Sequence, residues 1–292
     1  MSEYLSEALI ITKCNNLREI QDWLFWYVDV LGFDCVSLYD NESPVDVKSE
    51  CDKYSNVTYY FHPGVPQQEN TYLDHVNKKR RARWVFPVDD DEFLYLSEKY
   101  NHSVNTFLKA MEDRVECLGK ISVQWVNLVP KEYLEFRDKD SSLLRTHTCI
   151  SDIAMSHVVP WEGRPMRGYL KTFVRDGYWW SYGFHFGQRR RLCVHNPSSP
   201  NYRGRSLMED GTMVTEGRIG FEYNPDCFLA HYSLRSEQEW QDKCQRATVS
   251  CKTATMKNNI RLFSRIYEHT EDFVSCTKLR DLYDMKKQNT TY

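Results

Sequence analysis

Four adjacent carboxylates, Asp89, Asp90, Asp91 and Glu92, are the residues of this 292-residue chain best suited to chemistry. They interrupt apolar sequence, with Trp84-Val-Phe-Pro-Val88 before them and Phe93-Leu-Tyr-Leu96 after. Two unit charges ~4 Å apart repel by about 1 kcal/mol in water and about 4 kcal/mol at an effective dielectric of 20. A half-buried cluster of this kind calls for a compensating cation. Its Val and aromatic content marks 84–88 as a buried strand. Side chains alternate in extended backbone, so Asp89 and Asp91 are expected on one face and Asp90 and Glu92 on the other. An Asp-x-Asp pair at the carboxyl end of a strand suits Mg2+ or Mn2+, hard ions that take oxygen ligands and bridge to phosphate.

Two histidines are candidate partners for Asp91. His231 closes the apolar run Cys227-Phe-Leu-Ala230, and His185 sits in the aromatic cluster Tyr178 to Phe186. Each reads equally as a core histidine satisfied by backbone. Asp91 with a histidine gives mixed oxygen and nitrogen ligation, which favours Mn2+ over Mg2+. Arg189, Arg190 and Arg191 fit a diphosphate clamp or a solvated loop. The rings of Tyr178, Trp179, Trp180 and Tyr182 fit sugar stacking or core packing. The basic run Lys78-Lys-Arg-Arg81 reads as a solvated helix face.

The elements that must position these groups alternate. Ala8–Thr12, Cys35–Tyr39, Asn56–Phe61 and the run into the acids read as strands. Helices are expected from Asn16, an N-cap with Glu19 three residues on, to Gly32, and over 70–81. Strand–helix alternation predicts a largely parallel, Rossmann-like α/β sheet flanked by helices. Ligands of such sheets sit beyond the carboxyl ends of the strands. Three polar tips lie there, Lys13–Asn16, Asp40–Ser43 and Asp89–Glu92. Further on, a helix is expected from Ser103, strands over 120–127 and 171–175, and a helix from Glu237 capped by Ser236. Residues 130–165 carry little periodicity. One or two amphipathic helices close the chain, frayed after Lys286.

Composition bounds the function. A hydrophobic content of 41% indicates a globular core, and a net charge of -3 argues against a nucleic-acid binder. No run approaches ~18 uninterrupted apolar residues, so no transmembrane segment is expected. The ten cysteines lack CxxC spacing and read as reduced thiols of a cytoplasmic protein, with zinc not expected.

Five blocks occur in one order: Leu17-Arg-Glu-Ile-Gln-Asp-Trp-Leu24, Gly32-Phe33, Tyr39-Asp-Asn-x-Ser43, Trp84-Val-Phe-Pro-Val-Asp-x-Asp-Glu-Phe93 and His231-Tyr-x-x-Arg-Ser236-x-x-x-Trp-x-x-Lys243. Together, over about 8–246, they resemble glycosyltransferase family 92 and the family-2-like glycosyltransferases. The resemblance implies a glycosyltransferase A-type fold, a uridine nucleotide-sugar donor, a divalent metal, a glycan acceptor and inversion at the anomeric carbon. It implies that Asp40 pairs with the uracil, that Asp89 faces the donor, that Asp91 binds metal, and that Lys171 and His185 form the family's later Lys…His pair. It places His231 at the metal or diphosphate. Lys13 and Asp90 complete the donor-binding candidates. In this fold the general base lies well after the acidic motif, where Asp152, Glu162 and Asp176 qualify. Asp152 is favoured because its apolar neighbours would raise its pKa. Asn127-Leu-Val-Pro130 departs from the family's small-residue loop. Chain size and the missing anchor are similar to cytoplasmic enzymes of large algal viruses.

The expected organisation is one glycosyltransferase domain, with 1–130 as the nucleotide-sugar half, 131–250 as the acceptor half and 251–292 as a helical tail. Two competing readings are a sugar-phosphate nucleotidyltransferase and an inactive sugar-binding module. The first normally brings a Gly-rich basic loop after strand one, which Lys13-Cys-Asn-Asn16 is not.

Overall fold

The computed structural model describes residues 4–64, 68–150, 170–175, 182–183, 190–191, 205–208, 224–246, 262–269 and 273–290. The chain divides into two compact units, 1–125 with 167–229, and 126–166 with 230–292.

The first unit is the expected α/β alternation. Its elements are β1 (Tyr4–Thr12), α1 (Leu17–Leu24), β2 (Cys35–Asp40), α2 (Val47–Cys51), β3 (Val57–Phe61), α3 (Gln68–Lys78) and β4 (Ala82–Val88). Strand β1 pairs in parallel with β2 on one side and β4 on the other, and β3 lies outside β2. The spatial order is therefore β3-β2-β1-β4. After β1 the chain moves one way for β2 and β3, then crosses back over β1 to lay down β4. The carboxyl ends of β1 and β4 flank the point where the winding reverses, and such sheets open a ligand crevice there.

The short apolar run of β1 is buried from both faces, with Ala8, Leu9 and Ile10 fully covered. Helix α1 starts where Asn16 accepts a hydrogen bond from the Arg18 N–H. Its apolar stripe, Ile20, Trp23, Leu24, Tyr27 and Leu31, is entirely buried. The helix widens to a π-turn over Phe25–Val30, and Gly32 follows at φ 66°. Strand β8 (Leu170–Arg175) lies antiparallel between β4 and β6 (Leu118–Val129), the short strands β9 (Tyr182–Gly183) and β10 (Arg190–Arg191) pair antiparallel with each other, and β11 (Arg205–Met208) runs parallel to β6. Strand β5 (Glu92–Leu96) pairs with β12 (Cys227–His231). Helix α4 (Val104–Glu112) begins at Ser103, whose side chain accepts from the Thr106 N–H.

A buried polar cluster ties α3 to β1 and β2. The Glu7 carboxylate, fully covered, accepts from Ser37 Oγ at 2.7 Å and the Arg81 N–H at 2.8 Å, and meets His75 Nε2 at 2.9 Å. His75 Nδ1 lies 3.0 Å from the Tyr39 hydroxyl. In the basic run at 78–81, Lys78 and Lys79 are exposed as expected of a solvated helix face, while Arg81 turns toward the sheet. Arg81 also donates to the carbonyl of Val36, and Lys79 lies over the stacked rings of Tyr39 and Tyr60.

The second unit contains the carboxyl end of β6, α5 (Leu143–Thr146), β7 (Cys149–Ile150), α6 (Glu237–Arg246), α7 (Leu262–His269), β13 (Val274–Ser275) and α8 (Lys278–Thr290). Strand β7 pairs antiparallel with β6 at Leu128 and Val129 and with β13. Val129, Cys149, Leu234, Trp240, Phe263 and Ile266 form its core. Ser236 opens α6, and Arg137 grips Glu239 in a bidentate pair at 2.8 and 3.0 Å. Helix α8 continues to Thr290, past the expected fraying point at Lys286. Among the described residues no helix is long and apolar enough to cross a membrane, and Cys14, Cys35, Cys51, Cys117, Cys149, Cys227 and Cys276 are free thiols.

Candidate active site

The four acids do not continue β4 as extended backbone. They form a β-turn, closed by the Glu92 N–H donating to the Asp89 carbonyl at 3.2 Å. The alternation expected of Asp89 to Glu92 therefore fails, because the backbone turns here instead of staying extended. Glu92 folds back instead, and its Oε2 accepts from the Asp89 N–H at 2.9 Å. Asp89 and Glu92 share one partner. Lys171 Nζ, on the neighbouring end of antiparallel β8, lies 2.9 Å from Asp89 Oδ2 and 3.3 Å from Glu92 Oε2. Both Lys171 and Glu92 are fully buried.

The cation demanded by the cluster is thus partly built into the chain. Burial alone would lower the Lys171 pKa, but the carboxylates of Asp89 and Glu92 outweigh it and hold the ammonium charged. Burial pushes the Glu92 carboxyl well up, opposed by Lys171 and reinforced by Asp89 and Asp91. Oxygen Oε1 of Glu92 is buried without a hydrogen-bond partner. Lys171 was expected to contact the donor; the structure gives its ammonium to the acid turn.

Asp90 and Asp91 occupy the turn itself. The Thr12 hydroxyl, at the end of β1, donates to Asp90 Oδ2 at 2.6 Å, which links the two strand ends that flank the switch point. Asp91 is 7% exposed. Helix α1 braces the turn from below. Trp23 Nε1 donates to the Asp89 carbonyl at 3.2 Å and the Tyr27 hydroxyl to the Glu92 carbonyl at 3.1 Å. Trp26 Nε1 donates to the Leu94 carbonyl at 2.8 Å. The π-turn of α1 lies where two consecutive side chains, Trp26 and Tyr27, bond this same segment.

The β2 tip is stitched to its neighbours. Asp40 Oδ1 accepts from the Ser43 N–H and Oδ2 from the Tyr59 hydroxyl, both at 2.9 Å. Burial and that bond push the Tyr59 pKa up to about 12. Ser43 Oγ accepts from the Cys14 N–H beyond β1, and Asn41 Nδ2 donates to the carbonyls of His62 and Gly64 beyond β3. Lys13 is exposed at the β1 tip. Lys13, Asp40, Asp89, Asp90 and Asp91 therefore all stand at the carboxyl edge of the parallel strands, as expected from their order.

His231 belongs to the second unit, where its Nδ1 lies 2.9 Å from Asn127 Oδ1. Asp152, Glu162, Asp176 and His185 lie outside the described residues, as do Tyr178, Trp179, Trp180 and Arg189. Thr12, Trp23, Tyr27 and Tyr59 are site-forming residues that pattern reading assigned to strands and core. The signal available for them was chemical: Trp and Tyr on a buried face keep a polar tip that needs a partner.

The donor set can be tested for a divalent ion. Among the described residues no group of three or more His, Cys, Asp or Glu side chains is arranged to hold one. Lys171 already meets Asp89 and Glu92. What remains fits Mg2+ or Mn2+ held by one or two carboxylates together with substrate phosphates, which is how these ions commonly bind, and does not fit an all-protein cage.

No protein-family model matches the chain, and no curated protein matches it. Solved structures do. One is TarS residues 1–349 of S. aureus, at 11% identity over 90% of this chain and 71% of that one, with a TM-score of 0.36. Another is glucosyl-3-phosphoglycerate synthase from Mycobacterium tuberculosis in complex with Mn2+ and UDP, at 10% identity over 43% and 44%, TM-score 0.28. A third is 4-diphosphocytidyl-2C-methyl-D-erythritol synthase from Anaerococcus prevotii, at 16% identity over 48% and 61%, TM-score 0.28. The chain spans less than two thirds of the latter two. At these scores the likenesses carry no argument about function.

Proposed function

We propose that this protein is a metal-dependent glycosyltransferase that moves a sugar from a uridine nucleotide-sugar to a hydroxyl of a glycan acceptor. The observation that carries the reading is the acid turn, Asp89 to Glu92, set at the carboxyl edge of a parallel sheet beside its switch point and bonded there to Thr12 of β1. The resemblance of the Asp40 and Asp-x-Asp-Glu-Phe93 blocks to family-92 and family-2-like enzymes supports it.

The hard step is departure of a nucleoside diphosphate from the anomeric carbon. A divalent ion, when bound, neutralises charge developing on that leaving group, an effect of several kcal/mol. Asp91 would hold the ion together with diphosphate oxygens. The Asp40 tip, fixed by Ser43 and Tyr59, would take the base, and exposed Lys13 would meet the diphosphate. Proton removal from the acceptor is assigned to Asp152, with Glu162 and Asp176 as the other candidates; general-base help of this kind contributes about 100- to 10,000-fold.

The test is release of UDP from a panel of UDP-sugars in Mn2+, with water as the fallback acceptor. Slow hydrolysis of at least one donor, abolished in Asp91→Ala, is expected. Pyrophosphate release from CTP or UTP with a sugar phosphate would replace this reading with nucleotidyl transfer. No turnover and no nucleotide binding would leave a non-catalytic module.

A further inference from the structure

We propose that Tyr133, Phe136 and Glu237 form a carbohydrate-binding subsite of the second unit that takes a neutral sugar chain. The inference goes beyond the functional reading above and does not need it, because it concerns sugar bound with no donor, nucleotide or metal.

The rings are the first observation. Tyr133 is 46% exposed and Phe136 65%. A single exposed ring needs no explanation, but these two flank a carboxylate. The Glu237 N–H donates to the Leu134 carbonyl at 2.9 Å and the Gln238 N–H to the Glu135 carbonyl at 3.1 Å. Those bonds set the start of α6 against the two residues that separate the rings. The rings are three residues apart, so their Cα atoms lie within about 10 Å of each other. Both ends of the segment are fixed. Tyr133 packs edge-on against Phe263 at 5.7 Å and Tyr267 at 5.6 Å, and the Tyr267 hydroxyl donates to the Pro130 carbonyl at 2.7 Å. Beyond Phe136, the bidentate pair of Arg137 with Glu239 ties the segment to α6 again.

Glu237 supplies an unfilled polar group, which is the second observation. Its Oε1 accepts from Gln241 Nε2 at 2.6 Å, whereas Oε2 is buried without a hydrogen-bond partner. An empty buried acceptor is costly, and a ligand hydroxyl that fills it recovers the loss. The residue is 9% exposed and so borders the surface. The terminal torsion of a glutamate is soft, and a small rotation brings Oε2 to a hydroxyl at the rim. Partial desolvation, then the carboxylates of Glu237 and Glu135, raise the Tyr133 hydroxyl pKa, so both acids act on the polar tip of that ring.

Aromatic rings beside an unfilled carboxylate oxygen are complementary to a pyranose. The C–H faces of the sugar lie flat on the rings, and its hydroxyls donate to the carboxylate. The surrounding charge narrows the ligand. Residues 131–136 carry Glu132 and Glu135 against Lys131, all exposed. Excess negative charge beside the rings opposes a uronate, a phosphate-bearing chain or an anionic lipid surface.

The experiment is saturation-transfer difference NMR on the full chain, without nucleotide or metal. The probes are cellotriose, mannotriose, xylotriose and chitotriose, with a glucuronate-containing trisaccharide as the anionic control. Millimolar binding of at least one neutral probe is expected, and none of the control. Phe136→Ala and Glu237→Gln should each weaken it about tenfold, the effect of one stacked ring or one charge-assisted hydrogen bond. Phe136 is exposed, so its variant should fold, as circular dichroism would establish. Absence of binding by all the neutral probes overturns the proposal. So does binding that either folded variant leaves unchanged, or equal binding of the control. Co-sedimentation of wild type with phosphatidylcholine vesicles, lost in Phe136→Ala, would assign the rings to a lipid surface instead. Hydrolysis of UDP-sugars judges the functional reading separately. Turnover there with no sugar bound here removes this subsite and leaves that reading, and sugar binding without turnover does the reverse.

Discussion

Glu7→Ala should be among the most destabilising single changes in the first unit. Glu7 is fully buried, and three donors converge on its carboxylate: Ser37 Oγ at 2.7 Å, the Arg81 N–H at 2.8 Å and His75 Nε2 at 2.9 Å. Alanine leaves all three without an acceptor. Each stranded buried donor costs about 1–3 kcal/mol. We therefore expect a loss of about 4 kcal/mol, against a total stability on the order of 5–15 kcal/mol for a folded domain. Glu7→Gln keeps the volume but turns an amide NH2 toward a donor, and should cost about 2 kcal/mol. Urea unfolding followed by tryptophan fluorescence reads both values. A coupling of more than about 1 kcal/mol between Glu7→Ala and His75→Ala should appear in a double-mutant cycle. The pH dependence has a definite sign. Burial raises the Glu7 pKa, but His75, the Arg81 N–H and Ser37 together bring it below the usual carboxylate value. The stabilisation is therefore complete above about pH 4.3, the unfolded value, and is lost as pH falls through the folded one. A loss under about 1 kcal/mol in Glu7→Ala would refute the reasoning, because the three donors would then have other acceptors.

Other outcomes follow from the same contacts. Asp91→Ala should abolish the metal-dependent part of nucleotide binding in calorimetry; unchanged Mn2+ and nucleotide affinity removes it as the metal ligand. Lys171→Met alone should destabilise by about 3–5 kcal/mol in urea, and adding Glu92→Gln should return much of it. Burial holds His147 down to about 3, so it stays neutral in the folded protein. The unfolded chain protonates near pH 6.5, and stability should fall by up to about 1.4 kcal/mol per pH unit below that, a slope that His147→Gln should remove.

The parts of the fold written in local periodicity were legible before any coordinates. Strands β1 to β4, helices α1 and α3, and the serine caps at Ser103 and Ser236 follow from apolar spacing and capping chemistry within a dozen residues. Helix α2 was missed because Val47–Cys51 is a single turn with no periodic stripe. The position of β8 was not legible. Its pairing with β4 joins residues about 90 apart in sequence, and no local pattern says that an antiparallel strand enters a parallel sheet. The same gap hid the partner of the acid turn. The demand for a cation could be read from four adjacent carboxylates, but not that Lys171, 82 residues beyond Asp89, would meet it. The face assignment of Asp89 to Glu92 failed for a local reason. Alternation assumes extended backbone, and four acids between two apolar runs also make a turn. For the site, the tips carrying Lys13, Asp40 and Asp89 to Asp91 were placed correctly along the sheet edge. The braces beneath them, Trp23, Tyr27 and Tyr59, were hidden because their rings satisfy the core pattern while their polar tips act elsewhere.

Calorimetric titration of UDP into wild type and Asp40→Ala, with and without Mn2+, decides whether this sheet edge holds a nucleotide. Micromolar to millimolar binding is expected that requires Mn2+, is not matched by ATP or CTP, and is lost in Asp40→Ala. Equal heats with and without the metal, or unchanged UDP affinity in Asp40→Ala, would contradict a nucleotide site at this sheet edge.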